Sequence, residues 1–392
     1  MIFFEIIFLT FFILVAPLLG YQFFLSVVSL FARKRTVFTS EINRKFAFII
    51  PAHNEEKNIA KTIYSLSSLV YPKKNYNVFV IADNCTDQTA HIARSLGTTV
   101  LERTNSAQKL KGYALLWAFD IVLAHKNQFD AIIVVDADSL VSGNFLEVMN
   151  HYLEKGSGVI QSSSLVSPEP GNWSVEATRI GFLLSNYVKP LGRKVLGLNM
   201  GLRGNGMCFS ADILKERPWQ AWYLTEEVEY GLILLLNDVR IDFAPEAEVL
   251  GQMPIEASNA AKQRSTWDIG RFQIIKFYMP KFLSKALSSR SPASFDVFFE
   301  MLTPPFVNLM VMVSIIFGTV FIFWLFTLLP AIHLILWGIL LSTGILYLFV
   351  GLIVGGADKT VYKSLIRLPQ FIVWKLKVYM IAVKKGKELK LW

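Results

Sequence analysis

The fold of this chain is decided by residues 132–138, which have the sequence IIVVDAD. Four consecutive aliphatic residues predict a strand that is buried on both faces, as in the parallel sheets of α/β proteins. Such a strand delivers Asp136 and Asp138 to the carboxyl edge of the sheet, where open α/β folds bind ligands. Two carboxylates at that edge could bind a divalent cation, and such a cation could in turn bind a diphosphate. The alternative is a loop with two solvated acids.

Further elements are predicted on both sides of this strand. Apolar runs at residues 46–50 and 78–81 predict strands, and the helices expected between them begin near Ile59, Gln88 and Lys111. Later strands are predicted at 156–165, 206–210 and 241–244, with a helix from Thr225 to Leu236. Strands that alternate with helices predict an α/β fold with a mostly parallel sheet and right-handed crossovers.

The two ends of the chain are apolar and predict membrane segments. Residues 2–31, 306–328 and 332–354 are each long enough to span the hydrocarbon core. The net charge is +9, but many basic residues flank these segments, such as Arg33-Lys34-Arg35, which favours a cytosolic membrane face over nucleic acid. We therefore expect five regions: a transmembrane helix (1–34), a cytosolic domain (35–265), interfacial helices (266–303), two transmembrane helices (304–356) and an amphipathic interfacial C-terminal helix (357–392).

Several classes of protein are disfavoured. The two cysteines have no zinc-site or disulfide spacing. No phosphate-binding loop of the Gly-x-x-x-x-Gly-Lys-Ser/Thr type occurs, and no Gly-x-Gly-x-x-Gly follows the first strand. A transporter is disfavoured because the predicted spans lack buried charges.

Polar clusters occur near the predicted strand ends and in later loops, at residues 51–56, 83–87, 136–138, 202–207, 225–227 and 263–267. Their types and order resemble those of membrane-bound family 2 glycosyltransferases, which are related to processive polysaccharide synthases. The resemblance covers nearly the whole chain. It implies a GT-A, Rossmann-like nucleotide-sugar domain with transmembrane helices at both ends.

The resemblance also implies roles for individual residues. Asp138 and Asp136 would bind Mg²⁺ or Mn²⁺, and the ion would offset charge on a leaving diphosphate. The residues expected to bind the nucleotide sugar are Pro51, Ala52, His53, Asn54, Glu55, Asp83, Lys111, Gly112, Asp136 and Ala137. Those expected at the donor sugar, the acceptor sugar or the diphosphate are Gly204, Asn205, Gly206, Gln263, Arg264 and Trp267.

The general base is expected in the sequence Thr225-Glu226-Glu227. In the family the corresponding motif is Thr-Glu-Asp, and its last acid accepts the proton of the acceptor hydroxyl. Glu227 therefore matches the base, although Glu226 remains an alternative. Both acids have a structural explanation as well, because first-turn acids help a helix to start.

The implied function is an inverting, UDP-sugar-dependent hexosyltransferase at the cytosolic face of a multi-pass plasma-membrane protein. Its product would be a β-linked exopolysaccharide or another surface glycan, with membrane lipids and a glycan acceptor as partners. Three spans barely line a pore, so polymer export would need a homo-oligomer or a secretion partner. The alternative is the addition of a single sugar to a lipid-linked acceptor. The sugar, the linkage and the choice between the two metals are not readable from the sequence.

Overall fold

The computed structural model describes residues 2–33, 38, 40, 42–126, 128–169, 171–254 and 256–367. Most of the predicted C-terminal interfacial helix, residues 368–392, lies outside these described residues.

The described chain forms helices and strands whose bounds are as follows. The strands are β1 Phe46–Ala52, β2 Tyr76–Asp83, β3 Thr99–Arg103, β4 Ala131–Val134, β5 Ser139–Val141, β6 Val159–Val166, β7 Met207–Ser210 and β8 Asp242–Gly251. The α-helices are α1 Ile2–Ser29, α2 Ile59–Ser67, α3 Thr89–Ser95, α4 Lys111–Leu123, α5 Phe145–Glu154, α6 Trp173–Leu183, α7 Lys189–Val195, α8 Ala211–Glu216, α9 Glu226–Leu236, α10 Ala257–Ser289, α11 Pro292–Leu302, α12 Phe306–Leu325, α13 Ala331–Val354 and α14 Lys359–Ser364. A π-helical segment, Leu184–Val188, joins α6 to α7.

The strands form one sheet in the order β3-β2-β1-β4-β7-β6-β8-β5. Strands β3, β2, β1 and β4 are parallel to one another, and β6 is parallel to β8. Strand β7 is antiparallel to β4 and β6, and β5 is antiparallel to β8. The α/β fold class and the mostly parallel sheet are therefore as the sequence predicts. Because β2, β1 and β4 are adjacent, the polar segments that follow them lie side by side at one sheet edge.

Strand β4 has the two-sided burial that its aliphatic sequence predicts. Residues 131–135 are fully buried, and Ile133 and Val135 belong to a core cluster with Phe48, Ile50 and α5. A buried residue such as Ile133 contributes about 2 kcal/mol relative to an exposed one. The acids therefore follow a rigid strand that is held on both faces.

The described residues divide into two compact units. We call residues 2–32, 168–198 and 281–367 the helical unit, and residues 33–167 and 199–280 the sheet unit. In the described part of the chain, three helices have the length and apolarity needed to cross a membrane, namely α1, α12 and α13. All three belong to the helical unit.

Some elements differ from the sequence-based expectation. The sequence does not predict strands β3 and β5, because their apolar runs, at Val100-Leu101 and Leu140-Val141, are only two residues long. Strand β8 is ten residues long rather than four, since its second half pairs with both β6 and β5 after a register shift at Ser162/Ser163. Helix α10 begins at Ala257, before residue 266, where the interfacial helices are predicted to start.

Candidate functional site

The segment that carries Asp136 and Asp138 is held by hydrogen bonds on both sides. The backbone N–H of Asp136 donates to Asn205 Oδ1 at 3.2 Å, and Thr62 Oγ1 donates to the carbonyl of Ala137 at 2.7 Å. Ser139 Oγ donates to Asp138 Oδ1 at 3.2 Å. The two carboxylates are therefore positioned by neighbouring backbone and side chains, and their oxygens are left with further acceptor capacity.

The carboxyl groups here repel one another. Burial, with the nearby charges of Asp136 and Glu55, raises the pKa of Asp138 to about 7. Burial also raises the pKa of Glu55, and Asp136 and Asp87 add to that shift while the hydrogen bond from Asn58 opposes it. Carboxyl groups whose pKa values are raised by burial and by neighbouring carboxylates are typical of functional sites.

Lys111 is the cation in contact with these acids. Its Nζ lies 2.6 Å from Asp136 Oδ1. Burial by itself would lower the pKa of Lys111, but the charges of Asp136, Glu226 and Glu227 outweigh it and raise the pKa. Lys111 therefore stays protonated and links the acids after β4 to those at the start of α9.

Glu226 and Glu227 begin helix α9 beside the Lys111-Gly112 segment. A Cβ added at Gly112 would lie 2.5 Å from the carbonyl oxygen of Ala221 and 3.4 Å from Glu226 Cβ, so only glycine fits there. Burial and mutual repulsion raise the pKa of Glu226, and burial raises that of Glu227, while Lys111 lowers both. Glu226 is 6% exposed, whereas Glu227 is partly exposed.

The loop at 203–206 lies between the two groups of acids. Gly204 and Gly206 have φ values of +82° and +70°, which favour glycine. A Cβ at position 204 would lie 3.2 Å from Glu227 Cδ, and the side chain of Asn205 bonds to Asp136 N and Ser139 Oγ. The loop thus contacts Glu227 on one side and the Asp136 segment on the other.

Gln161, on the buried strand β6, fixes this loop. Its Oε1 accepts from Arg203 N at 2.8 Å, and its Nε2 donates to the carbonyl of Asn205 at 2.8 Å. Sequence reasoning missed Gln161; the available signal was a run of four polar residues, 161–164, inside a predicted strand.

The segments that follow β1 and β2 are also tied together. Pro51 and Ala52 end β1, His53 Nδ1 is 2.8 Å from the carbonyl of Asp83, and Asn54 Oδ1 accepts from Thr86 N at 2.8 Å. Asn54 has a φ of +58°, a left-handed conformation that asparagine tolerates.

Asp83 is buried and forms an ion pair with Arg103, which ends β3, at 2.7 Å. Sequence reasoning did not anticipate this partner, because β3 was not expected. The structure thus brings the residues after β1, β2 and β4 to one edge, along with Lys111, the 203–206 loop and the start of α9.

Gln263, Arg264 and Trp267 lie on α10. They precede Gly270 by one to two helical turns, and a Cβ at Gly270 would lie 2.7 Å from Thr225 Cγ2. Trp267 is 36% exposed. Their helix therefore contacts Thr225, the residue that precedes Glu226.

A family model described as "Glycosyltransferase like family 2" matches residues 43–270 of this chain. The chain belongs to this family. The family predicted from the motifs is confirmed, and the match covers all the sheet strands and the acids at their edge.

Individual relatives are more distant. The chain is 28% identical over 285 residues to a beta-monoglucosyldiacylglycerol synthase of Nostoc sp., covering 70% of this chain and 58% of that protein. It is 26% identical over 272 residues to the probable glycosyltransferase YdaM of Bacillus subtilis, covering 66% and 62%. The chain thus spans about three fifths of the length of these relatives.

Among solved structures, the mannosyltransferase PcManGT of Pyrobaculum calidifontis, in complex with GDP-Man and Mn²⁺, superposes with a TM-score of 0.55. The identity is 13%, and the superposition covers 88% of this chain and 97% of that one. At this identity the likeness shows the fold, and the GT-A type of fold predicted from the sequence is confirmed.

The residues at the sheet edge of this family 2 chain fit a divalent cation. Among the described residues no three His, Cys, Asp or Glu side chains are grouped as a complete metal cage. Mg²⁺ typically uses one or two protein carboxylates together with substrate phosphates and water. Asp136 and Asp138 are hard oxygen donors, and their mutual repulsion is relieved by a cation, so the pair suits that mode of binding.

Proposed function

We propose that this family 2 chain is a glycosyltransferase that moves a sugar from a UDP-sugar to a hydroxyl group, with inversion, in a reaction that requires Mg²⁺ or Mn²⁺. The carrying observation is an excess of negative charge at the carboxyl edge of the sheet. Among the described residues, Glu55, Asp136, Asp138, Glu226 and Glu227 interact there, and Lys111 and Arg203 are among the cations that oppose them. We call these five carboxyl groups the acid cluster.

The acid cluster has two parts with different tasks. Asp138 and Asp136 would hold the cation, which supplies Lewis-acid neutralisation of the leaving diphosphate. Lys111 offers a fixed positive charge beside Asp136 on the same side. Glu226 and Glu227, on the far side of the 203–206 loop, are left for proton transfer.

Glu227 is the better candidate for the general base. It lies against Gly204 and is itself partly exposed, so an acceptor hydroxyl has room to approach it. Glu226 is more deeply buried and packs beside Gly112. In this assignment Glu227 accepts the proton as the hydroxyl oxygen attacks the anomeric carbon, and Glu226 shares the charge of Lys111.

The nucleoside would lie over the segments that follow β1 and β2. Residues 51–56 and Asp83 present amide, imidazole and carboxylate groups there, which suit base edges and ribose hydroxyls. The ion pair with Arg103 fixes the carboxyl group of Asp83 in position there.

For the acceptor we favour a single addition to a membrane lipid over polymer synthesis. Helices α1, α12 and α13 would anchor the enzyme as a multi-pass plasma-membrane protein, with the sheet unit in the cytosol because Arg33-Lys34-Arg35 follows the first span. The Nostoc relative is named for a glucosylated diacylglycerol. A processive polysaccharide synthase, with Gln263, Arg264 and Trp267 on the growing chain, remains the second candidate.

A donor and acceptor panel tests the proposal. The full chain in detergent micelles that contain diacylglycerol is incubated with Mn²⁺ and radiolabelled UDP-sugars, and products are separated into lipid extract and polymer. We expect one labelled lipid species, and at least a tenfold loss in Asp138→Ala. Label in a polymer would support the second candidate. Equal turnover by the wild type and Asp138→Ala would contradict the metal assignment, and no transfer from any UDP-sugar would contradict the donor.

A further inference from the structure

A third acid in the first turn of α9, Glu229, is buried and has no task in the proposed chemistry. Its Oε2 accepts from the backbone N–H groups of Trp222 and Tyr223, at 2.6 Å and 2.9 Å. Its Oε1 accepts from the hydroxyl of Tyr278, on α10, at 3.0 Å. A buried carboxylate with three donors is well satisfied, so its charge is used to hold those donors in place.

The segment that Glu229 holds leads directly into the catalytic acids. Trp222 is 38% exposed and stacks on Tyr113, with ring centroids 4.7 Å apart and an interplanar angle of 29°. Tyr223 stacks on Phe277 at 5.4 Å and 15°. Residues 222–225 are thus placed between α4, which begins at Lys111, and α10.

The close contact at Gly112 leaves this segment little freedom. The carbonyl of Ala221 lies where a side chain on residue 112 would be, so α4 and the segment touch through their backbones. A shift of residues 222–225 would therefore move Glu226 and Glu227 relative to Lys111. Displacements of about 1 Å from productive geometry can cost about a hundredfold in rate.

We propose that Glu229 is a positioning residue that fixes residues 222–225 and thereby sets the location of Glu227 relative to Lys111 and the 203–206 loop. The inference rests on the proposed function for its catalytic consequence. Its structural part, the restraint of the backbone at Trp222 and Tyr223, stands on the hydrogen bonds alone.

The distinction between a positioning acid and a reacting acid has a chemical test. A glutamine at position 229 has the same shape, with a carbonyl oxygen for the two N–H groups and an amide that donates to the Tyr278 oxygen. A glutamine at position 227 has the same shape but accepts no proton. Replacement by glutamine should therefore be tolerated at 229 and not at 227.

The experiment compares Glu229→Ala, Glu229→Gln and Glu227→Gln in the full chain. The matched control is Glu246→Ala, which also removes the partner of a tyrosine hydroxyl, that of Tyr152, in the same unit. One readout is kcat and KM for the donor. The other is amide hydrogen exchange at Trp222 and Tyr223, which needs no substrate.

For Glu229→Ala we expect kcat to fall by about 10- to 100-fold with donor KM within about threefold, and exchange at both amides to accelerate at least tenfold. In Glu229→Gln, kcat and the exchange rates of both amides should lie within about fivefold of the wild-type values. Glu246→Ala should match the wild type in both. Should Glu229→Ala fail to fold, Glu229→Asp, whose side chain is one methylene shorter, replaces it with the same expected direction.

The proposal is overturned if Glu229→Ala, or Glu229→Asp in its place, keeps wild-type kcat or unchanged exchange at the two amides. It is also overturned if Glu229→Gln loses kcat as fully as Glu227→Gln while the amides stay protected, because the charge itself would then be required. A wild type without transferase activity contradicts the proposed function instead, and the exchange result still decides whether Glu229 restrains the segment.

Discussion

Two clusters of charged side chains, one in each unit, differ in their balance of charge. In the helical unit, Arg193 Nε contacts both oxygens of Asp296 at 2.9 Å and 3.0 Å, and Glu300 accepts from Arg193 and Lys189 at 2.9 Å and 3.0 Å. Two cations face two carboxylates here, all on α7 and α11. We call this set the ion-pair cluster.

The acid cluster of the sheet unit has no such balance. Its five carboxyl groups face Lys111 and Arg203, and burial with repulsion raises the pKa of Asp138 to about 7. In the ion-pair cluster, burial would lower the pKa of Arg193, but Glu300 and Asp296 outweigh it and raise the pKa. Paired charge is typical of a structural role, whereas carboxyl groups whose pKa values are raised by burial and by one another at a sheet edge indicate a site for a cationic or cation-bearing ligand.

The largest effect is expected in the acid cluster. Glu227→Gln should lower sugar transfer by up to about 10⁴-fold, because the proposed base is replaced by an amide that accepts no proton. Thermal stability should stay the same or rise, since one of two repelling carboxylates becomes neutral. Transfer is measured with the best UDP-sugar, and unfolding by intrinsic fluorescence.

Glu226→Gln is the matched control for this prediction. It should retain more transfer than Glu227→Gln. The reverse order would assign the base to Glu226, and full activity in both variants would remove proton transfer from this pair.

The ion-pair cluster should respond in stability instead. Arg193→Met removes the guanidinium group that pairs with the buried Asp296 and the half-buried Glu300, and should lower the free energy of unfolding by about 3–5 kcal/mol. The measurement is thermal and denaturant unfolding in detergent.

The control is Arg94→Met, which removes an exposed ion pair with Glu102 and should change stability by less than about 1 kcal/mol. Equal effects of the two substitutions would mean that the buried cluster has no special structural role.

The smallest effect is expected for Gly206→Ala, which changes the geometry of the 203–206 loop without changing any charge. A Cβ at Gly206 would lie 1.9 Å from Ser162 Oγ, and the residue has a positive φ, so Gly206→Ala should cost about 1–3 kcal/mol of stability and displace the 203–206 loop. Donor KM and unfolding are both measured.

Adding Ser162→Gly removes the contact with Ser162 but neither the contact with Val249 Cγ2, at 2.8 Å, nor the backbone strain, so the double variant should recover only part of the lost stability. A single variant as stable as the wild type would show that the loop adapts freely, and the Gly206 restraint would then be absent.

The sequence predicted the acids better than it predicted their supports. Asp136 and Asp138 were found because a run of aliphatic residues ends at them, which is a local pattern. Gln161, Glu229 and Arg103 were missed. Gln161 bonds to Arg203, which is 42 residues away, and Glu229 bonds to Tyr278 on another helix. Arg103, the partner of Asp83, lies on a strand that the sequence does not predict. No local periodicity records such long-range hydrogen bonds.

The sequence by itself determined the α/β class, the strand that carries the acids and the three apolar helices. These features depend on the spacing of apolar residues and on the length of apolar runs, both of which are properties of consecutive residues. Only the tertiary structure decided that Lys111 contacts Asp136, that Gly204 lies against Glu227, and that β5 and β8 close the far edge of the sheet. These contacts depend on how distant segments pack, and that packing is set by the whole core rather than by any one stretch of the chain.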